Sequence, residues 1–448
     1  MNHYKYLIIG NSAGGIGAVE AIRKVDTEGT IAIISDEEYH TYSRPLISYF
    51  LAGEIAYDKM FYRRSDFYEK RKVDTILNKK AVKIDFDKNA VIMNDDSLIG
   101  YEKLLLATGG EPFVPKIAGM ETYEYSTFTT LKDALKIKDK VEKEGVKNIA
   151  ILGGGLIGLK AAEGLVGMPR SAVQRKNRGL NVTVVELANR ILSPVLDEQA
   201  AGLIQKVLEQ KGLNVLPNHT ISEIVGENGK VTGVLLDKGE RIECEMVIVA
   251  IGVRPRIELA KDTPIKLNRG IIVDKHMRTT VPNVYSCGDC AEVYDFILDN
   301  YRLTPLWPTA HVGGRIAGFN MAGVDKEYVW GTGMNSVDFF GFPVISAGFI
   351  NPPEGQDMEV LIKSEPDKMI YKKFLIKDNR IVGMIFVNEV DRAGVILGLM
   401  RDKADITPFK SEILLEDFGP IYLPKSLRQE PITFRCATEE QSAKEVRV

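Results

Sequence analysis

Two segments of this chain join an apolar strand to a helix through a turn of very small residues. The first reads Tyr6-Leu7-Ile8-Ile9-Gly10-Asn11-Ser12-Ala13-Gly14-Gly15, and the second Ile149-Ala150-Ile151-Leu152-Gly153-Gly154-Gly155-Leu156-Ile157-Gly158. Small residues let the backbone turn sharply and approach a pyrophosphate, whose charge then rests on the free N–H groups of a helix N-terminus. One such turn constrains little. Two, each followed by a further strand ending in an acid, call for an α/β chain that holds two dinucleotides.

The acids follow from the strand pattern. Ile31-Ala32-Ile33-Ile34 ends at Ser35-Asp36-Glu37, and Glu37 is the better placed to accept hydrogen bonds from both ribose hydroxyls. A solvated charged turn is the plainer alternative. In the second unit the strand 182–185 ends at Glu186. Its separation from Gly153 exceeds the usual ~20 residues, because a polar insertion, 168–179, lies between helix and strand. Leu187, Ala188 and Asn189 follow Glu186 where a run of arginines would favour a 2′-phosphate, so NAD(H) is expected over NADP(H), with Arg190 as the one nearby cation.

Length, composition and cysteine usage narrow the class. A chain of 448 residues suits two or three domains, and 45% hydrophobic with 27% charged residues is ordinary for a globular protein. A net charge of −3 provides no field for nucleic acid or an anionic membrane. No apolar run approaches the ~18 residues of a membrane span, and a strand begins too early to leave room for a signal peptide. Only Cys244, Cys287, Cys290 and Cys436 occur, which disfavours a disulfide scaffold and fits a reducing cytoplasm.

The expected fold is two Rossmann-like dinucleotide-binding domains plus a C-terminal α+β domain. A discontinuous first domain would take residues 1–115 and 245–323, closing through Met246-Val247-Ile248-Val249 and Val284-Tyr285-Ser286. The inserted second domain would take 116–244, with a surface helix over 126–145. Alternating strands such as 369–376 and 381–387 predict the third domain over 324–423. Residues 424–448 lose apolar periodicity and read as a mobile tail.

With these motifs in hand, the chain resembles the pyridine nucleotide–disulfide oxidoreductases, nearest to rubredoxin reductases and the flavin part of assimilatory nitrite reductases. The resemblance covers about 4–420. It rests on the Gly10 fingerprint, Arg44-Pro45-Leu46-Ile47-Ser48, Ala107-Thr108-Gly109, the Gly153 fingerprint, Ala250-Ile251-Gly252-Val253-Arg254-Pro255, Cys287-Gly288-Asp289 and Trp307-Pro308-Thr309-Ala310. It implies FAD in the first unit, held by Gly10, Ser12, Gly14, Gly15, Glu37, Arg44, Pro45, Ser48, Thr108 and Gly109. Asp289 would take the ribityl hydroxyls, and Trp307 to Ala310 would approach the isoalloxazine. NAD(H) would lie on Gly153, Gly155, Leu156, Ile157, Gly158, Glu186 and Gly252. The C-terminal domain would pack over the flavin or make a homodimer contact.

Departures from the family pattern shape the chemistry. Ser12 replaces the middle glycine of the first fingerprint. The stretch 42–52, where disulfide reductases carry Cys-x4-Cys and water-forming oxidases a single cysteine, contains none. Disulfide and sulfenate chemistry need a thiolate, so both branches are disfavoured. Cys287 and Cys290 read as small buried residues, the four cysteines form no metal-ligand set, and His40 and His311 read as packing residues. Relatives place a lysine after the Arg-Pro segment near flavin N5, and many pair it with a glutamate on the second fingerprint helix. Tyr49 and Lys160 occupy those positions here, and Lys160 is the candidate cation for the reduced flavin.

The expected function is hydride exchange with NAD(H) and single-electron exchange with a small iron–sulfur carrier, ferredoxin-like or rubredoxin, either free or within a larger redox complex. Two clusters, Arg63, Arg64, Lys70, Arg71 and Lys72, and Arg170, Arg175, Lys176 and Arg178, are candidate docking sites or plain solvated loops. The alternatives are an NADH oxidase that forms peroxide and a non-catalytic nucleotide-sensing subunit.

Overall fold

A seven-stranded sheet organises the first half of the molecule, which is a computed structural model describing residues 2–167, 179–329 and 331–428. Its parallel strands run Val73–Ile76, Ile31–Ile34, Asn2–Ile9, Leu98–Leu106 and Val284–Ser286. An antiparallel extension, Ala90–Met93 and then Ala81–Asp85, completes it. The core strands are apolar on both faces, as burial under helices requires. Register decides where function sits: Ile9 pairs with Ile34 and with Leu106, and Leu106 pairs with Ser286. Four strands therefore end level, and the turns after them open at one carboxyl edge, where α/β sheets bind ligands.

The helix Ala13–Val25 leaves that edge and packs on Trp307–Met321 through small residues. A Cβ on Gly314 would lie 1.9 Å from the Gly14 carbonyl oxygen. That close crossing brings the start of the second helix beside the first fingerprint.

The second parallel sheet has the order Asn214–Pro217, Asn181–Glu186, Asn148–Leu152, Met246–Val249. Met246–Val249 thus pairs with the second fingerprint strand, not with the first sheet as a boundary at 245 would require. Both are short, wholly buried runs, and sequence alone carries no sign of which sheet adopts one. The return to the first sheet comes at Val284–Ser286. Gly110–Pro112 and Val253–Pro255 pair antiparallel where the chain leaves for the inserted unit and comes back. The expected helix over 126–145 is Leu131–Lys143, started by a reciprocal cap between Thr130 and Asp133. Residues 126–130 before it are not helical, and Ser126 bridges to Ile248. The insertion 168–178 and the tail from 429 lie outside the described residues.

A second compact unit comprises 334–428 together with 195–203. Its five-stranded antiparallel sheet runs Met334–Phe339, Phe342–Gly348, Arg380–Val387, Ile370–Lys377, Glu359–Glu365, and the helix Ala393–Arg401 follows. Asp197 lies within this unit, where its Oδ2 accepts from Tyr371 Oη at 2.6 Å and from Lys373 Nζ at 2.9 Å. Among the described residues, no helix is long and apolar enough to cross a membrane.

Candidate dinucleotide site

The four level strand ends open into a cavity of about 780 Å³, within the range that ordinary small-molecule sites occupy. Gly10 to Gly14, Ser35 to Glu37, Ala107 to Glu111 and Cys287 to Asp289 line it from the strand ends. Arg44 and Pro45, then Trp307 and Ala310, line it from the two following helical segments. Gly10 has φ +126°, and a Cβ there would meet the Ala107 carbonyl oxygen at 2.0 Å, so this turn admits only glycine. Ser12 has φ −118° and ψ −161°, an extended backbone open to any residue. The middle fingerprint position therefore accommodates a serine without strain.

The cavity's charges are tied to one another. Glu37 accepts from Tyr42 Oη at 2.6 Å and from Arg44 Nη2 in a short ion pair. Arg44 Nη1 reaches the Thr129 carbonyl at 2.9 Å. Arg256 donates to Asp36 at 3.0 Å, and its backbone is fixed by Thr108 and by the Gly109 carbonyl. Burial raises the Asp289 carboxyl above its ordinary range, with the Arg44 charge opposing that shift. A half-buried acid facing the cavity, a Cβ-free turn and a helix N-terminus together suit a polyhydroxylated diphosphate such as FAD.

Tyr42, His40, Asp36 and Arg256 belong to this lining although motif spacing did not single them out. Tyr42 and Arg256 flank the quoted Arg44 and Pro255 motifs, which is a local signal. Lys79 to Val82 also line the cavity and carry no such signal; Lys79 N bonds to the Ser35 carbonyl at 3.0 Å, a contact between distant segments that brings them there.

Gly15 lies behind the lining, where a Cβ would strike the Gly10 carbonyl at 1.9 Å. Ser48 is buried in Ile47–Ala52, the short helix that packs on the second fingerprint helix Leu156–Gly167; a Cβ on Gly164 would lie 2.9 Å from its carbonyl. Tyr49 and Lys160 meet in that interface, with the Lys160 ammonium 4.7 Å from the Tyr49 ring centre and ion-paired to Glu163. Neither side chain lines the cavity; Ile157, from the same helix, does.

In the second fingerprint Gly153 has φ +118°, and Gly158 packs on its carbonyl, while the space around Gly155 is open. Leu156 opens the helix. Glu186 sits at the adjoining strand end, accepting from Gly154 N at 2.6 Å and Ala188 N at 2.7 Å. Arg190 bonds to Asn189 and to the Ser193 carbonyl. Gly252, φ +111°, accepts from Phe113 N where the chain re-enters the first unit.

Cys287 and Cys290 are free thiols at 0% exposure, and burial pushes the Cys287 thiol well above its ordinary range. No cluster of metal-ligating side chains occurs among the described residues, and Cys436 lies outside them. His311 is held below its ordinary range by burial and sits near Tyr62 and Glu20. In the first basic cluster Arg63 pairs with Glu20, Lys70 with Asp66 and Lys72 with Glu28, so much of its charge is locally neutralised. Arg170, Arg175, Lys176 and Arg178 lie outside the described residues.

Comparison with known proteins agrees with this geometry. Residues 4–314 match the pyridine nucleotide-disulphide oxidoreductase family, and 334–404 match the rubredoxin NAD+ reductase C-terminal domain. The chain is 31% identical to the NADH-dependent phenylglyoxylate dehydrogenase subunit epsilon of Aromatoleum evansii, over 92% of this chain and 95% of that one. It is 36% identical to an NADH oxidase of Methanocaldococcus jannaschii, over 72% and 71%. The crystal structure of NADH:rubredoxin oxidoreductase from Clostridium acetobutylicum superposes with a TM-score of 0.74 at 25% identity, covering 91% of this chain and 98% of that one. Fold, fingerprints and relatives agree: the chain belongs to the pyridine nucleotide-disulphide oxidoreductase family.

Proposed function

We propose that this protein is an FAD-dependent oxidoreductase that exchanges hydride with NAD(H) and single electrons with a small iron–sulfur protein of the ferredoxin or rubredoxin type. The observation that carries the reading is the composition of one cavity. It joins the first fingerprint, Asp289 and Trp307 to Ile157 of the second fingerprint helix, so a flavin there would abut the nucleotide-binding unit. Flavin suits such a junction because it exchanges two electrons on one side and one at a time on the other.

The chain's own residues would do the rest. The helix N-terminus after Gly10 and the Arg44 guanidinium face the diphosphate. Glu37 accepts from the adenosine ribose, and Asp289 binds the ribityl chain. Glu186, clamped by two backbone amides, takes the NAD(H) ribose and repels a 2′-phosphate. Lys160 and Tyr49 lie outside the cavity lining, in the interface of the helix that carries Ile157, and the Lys160 charge would act on the flavin from there. Stretch 42–52 offers no thiol, Cys287 and Cys290 are fully buried, and burial holds the Cys287 thiol protonated, so electrons pass between the flavin and another molecule. The likeness to a dehydrogenase epsilon subunit and to a rubredoxin reductase C-terminal domain supports a protein acceptor or donor.

The likeness to an NADH oxidase supports a second reading, in which oxygen is the acceptor and peroxide the product. One experiment separates them. The purified protein is reduced anaerobically with NADH, and turnover is compared with ferredoxin, with rubredoxin and with oxygen alone. Rapid turnover with a carrier and slow peroxide formation support the first reading. Oxygen turnover that no carrier exceeds refutes it.

A further inference from the structure

Tyr42 is 6% exposed and belongs to no motif, yet its hydroxyl joins three parts of the fold. It accepts a hydrogen bond from Leu131 N at 3.1 Å, the first amide of the helix Leu131–Lys143, and donates to Glu37 Oε2 at 2.6 Å. A phenol has one proton to give. Because the amide can only donate, that proton must go to Glu37. Arg44 occupies the other carboxylate oxygen from the side of Thr129, and its guanidinium lies 5.5 Å from the Tyr42 ring centre. Glu37 is thereby held from both oxygens by groups of fixed direction. Each oxygen keeps acceptor capacity, and the carboxylate lines the cavity.

We propose that Tyr42 is a positioning residue for the dinucleotide: it orients the Glu37 carboxylate so that its remaining lone pairs meet the ribose hydroxyls of the adenosine half of FAD. This rests on the reading of the cavity as an FAD site. Tyr42 acts through Glu37, the residue assigned to the adenosine ribose. Its contribution is therefore confined to ligands that carry the adenosine half.

FMN, which lacks that half, provides the test. Apoprotein is titrated with FAD and with FMN, following flavin fluorescence, for the parent, Tyr42→Phe, Glu37→Ala and the double variant. Removing the hydroxyl weakens FAD about fivefold to tenfold, the scale of one hydrogen bond, and leaves FMN unchanged. In the Glu37→Ala background Tyr42→Phe has no further effect on FAD. Equal weakening of both flavins, or loss of both with unfolding, makes Tyr42 purely structural and overturns the proposal. So does unchanged FAD affinity, or full additivity with Glu37→Ala. A parent protein that binds neither flavin refutes the FAD reading itself, an outcome distinct from these.

Discussion

Glu186 offers the sharpest test of the nucleotide site, because its surroundings allow both sign and size to be worked out. Its two oxygens accept from Gly154 N and Ala188 N at 2.6 and 2.7 Å, so the carboxylate is fixed beside the fingerprint turn, and it is half-buried. A 2′-phosphate bound there carries a charge of about −1.5 to −2. At about 5 Å its repulsion by one carboxylate is about 1–3 kcal/mol per unit charge as the effective dielectric falls from 80 to 20. Allowing for solvent beside a half-buried group, about 2 kcal/mol is a fair figure, equivalent to roughly thirtyfold in kcat/KM for NADH over NADPH. Glu186→Ala removes a charged acceptor from the ribose and lowers NADH efficiency by about 1–3 kcal/mol. The same change releases two backbone amides, which then face a phosphate as donors. NADPH efficiency therefore falls less than NADH efficiency or rises, and the preference collapses towards unity. Steady-state kcat/KM for both nucleotides, in parent and variant, decides the matter. Equal use of the two by the parent, or an unchanged ratio in Glu186→Ala, refutes this account.

Further outcomes follow from the same geometry. Lys160 is ion-paired with Glu163, so Lys160→Met, which removes a positive charge, lowers the flavin midpoint potential while Glu163→Gln, which removes a negative one, raises it; a redox titration giving shifts of the same sign, or none, removes Lys160 from the mechanism. Cys244, pushed up to about 12 by burial, and the buried Cys287 and Cys290 resist thiol reagents in the native protein, and mass mapping of labelled peptides before and after denaturation checks this. Arg64, with its side chain 87% exposed, is the most exposed cation of its cluster, so Arg64→Glu lowers the rate with an acidic carrier at low salt and spares reduction by NADH. Stopped-flow measurement of both half-reactions over a range of ionic strength tests that separation.

Much of the candidate site was legible because its signals are local. Gly10 and Gly153 announce tight turns, Gly158 the close packing of a helix on one of them, and the acids Glu37 and Glu186 stand at the ends of apolar runs that really are strands. What stayed hidden depends on pairing between distant segments. Nothing near Met246–Val249 says that it joins the second sheet and Val284–Ser286 the first; both are short and fully buried, and hydrogen-bonded register alone separates them. Lys79 to Val82 reach the cavity for a similar reason. The basic cluster at 63–72 looked more cationic in sequence than in space, because Glu20 and Glu28 arrive from the first helix and the loop after it.

The balance of charge in the cavity bears on how a flavin would be held. Arg44, Lys79, Lys80, Arg254 and Arg256 line it, but so do Asp36, Glu37, Glu111, Glu258 and Asp289. Several of these are already paired: Arg44 with Glu37, Arg256 with Asp36, and Arg254 with Glu111. Five cations against five carboxylates leave no net positive field to attract a diphosphate. Its charge must instead be met by directed donors, the amides that follow Gly10 at the start of Ala13–Val25 and the Arg44 guanidinium. Such donors are effective only if the backbone comes close. That is why the turn tolerates serine at position 12, where the backbone is extended, but not at Gly10, where a Cβ would strike the Ala107 carbonyl. The same neutrality suits a protein that exchanges hydride and single electrons at one place, since a strong fixed field would favour one flavin charge state over the other.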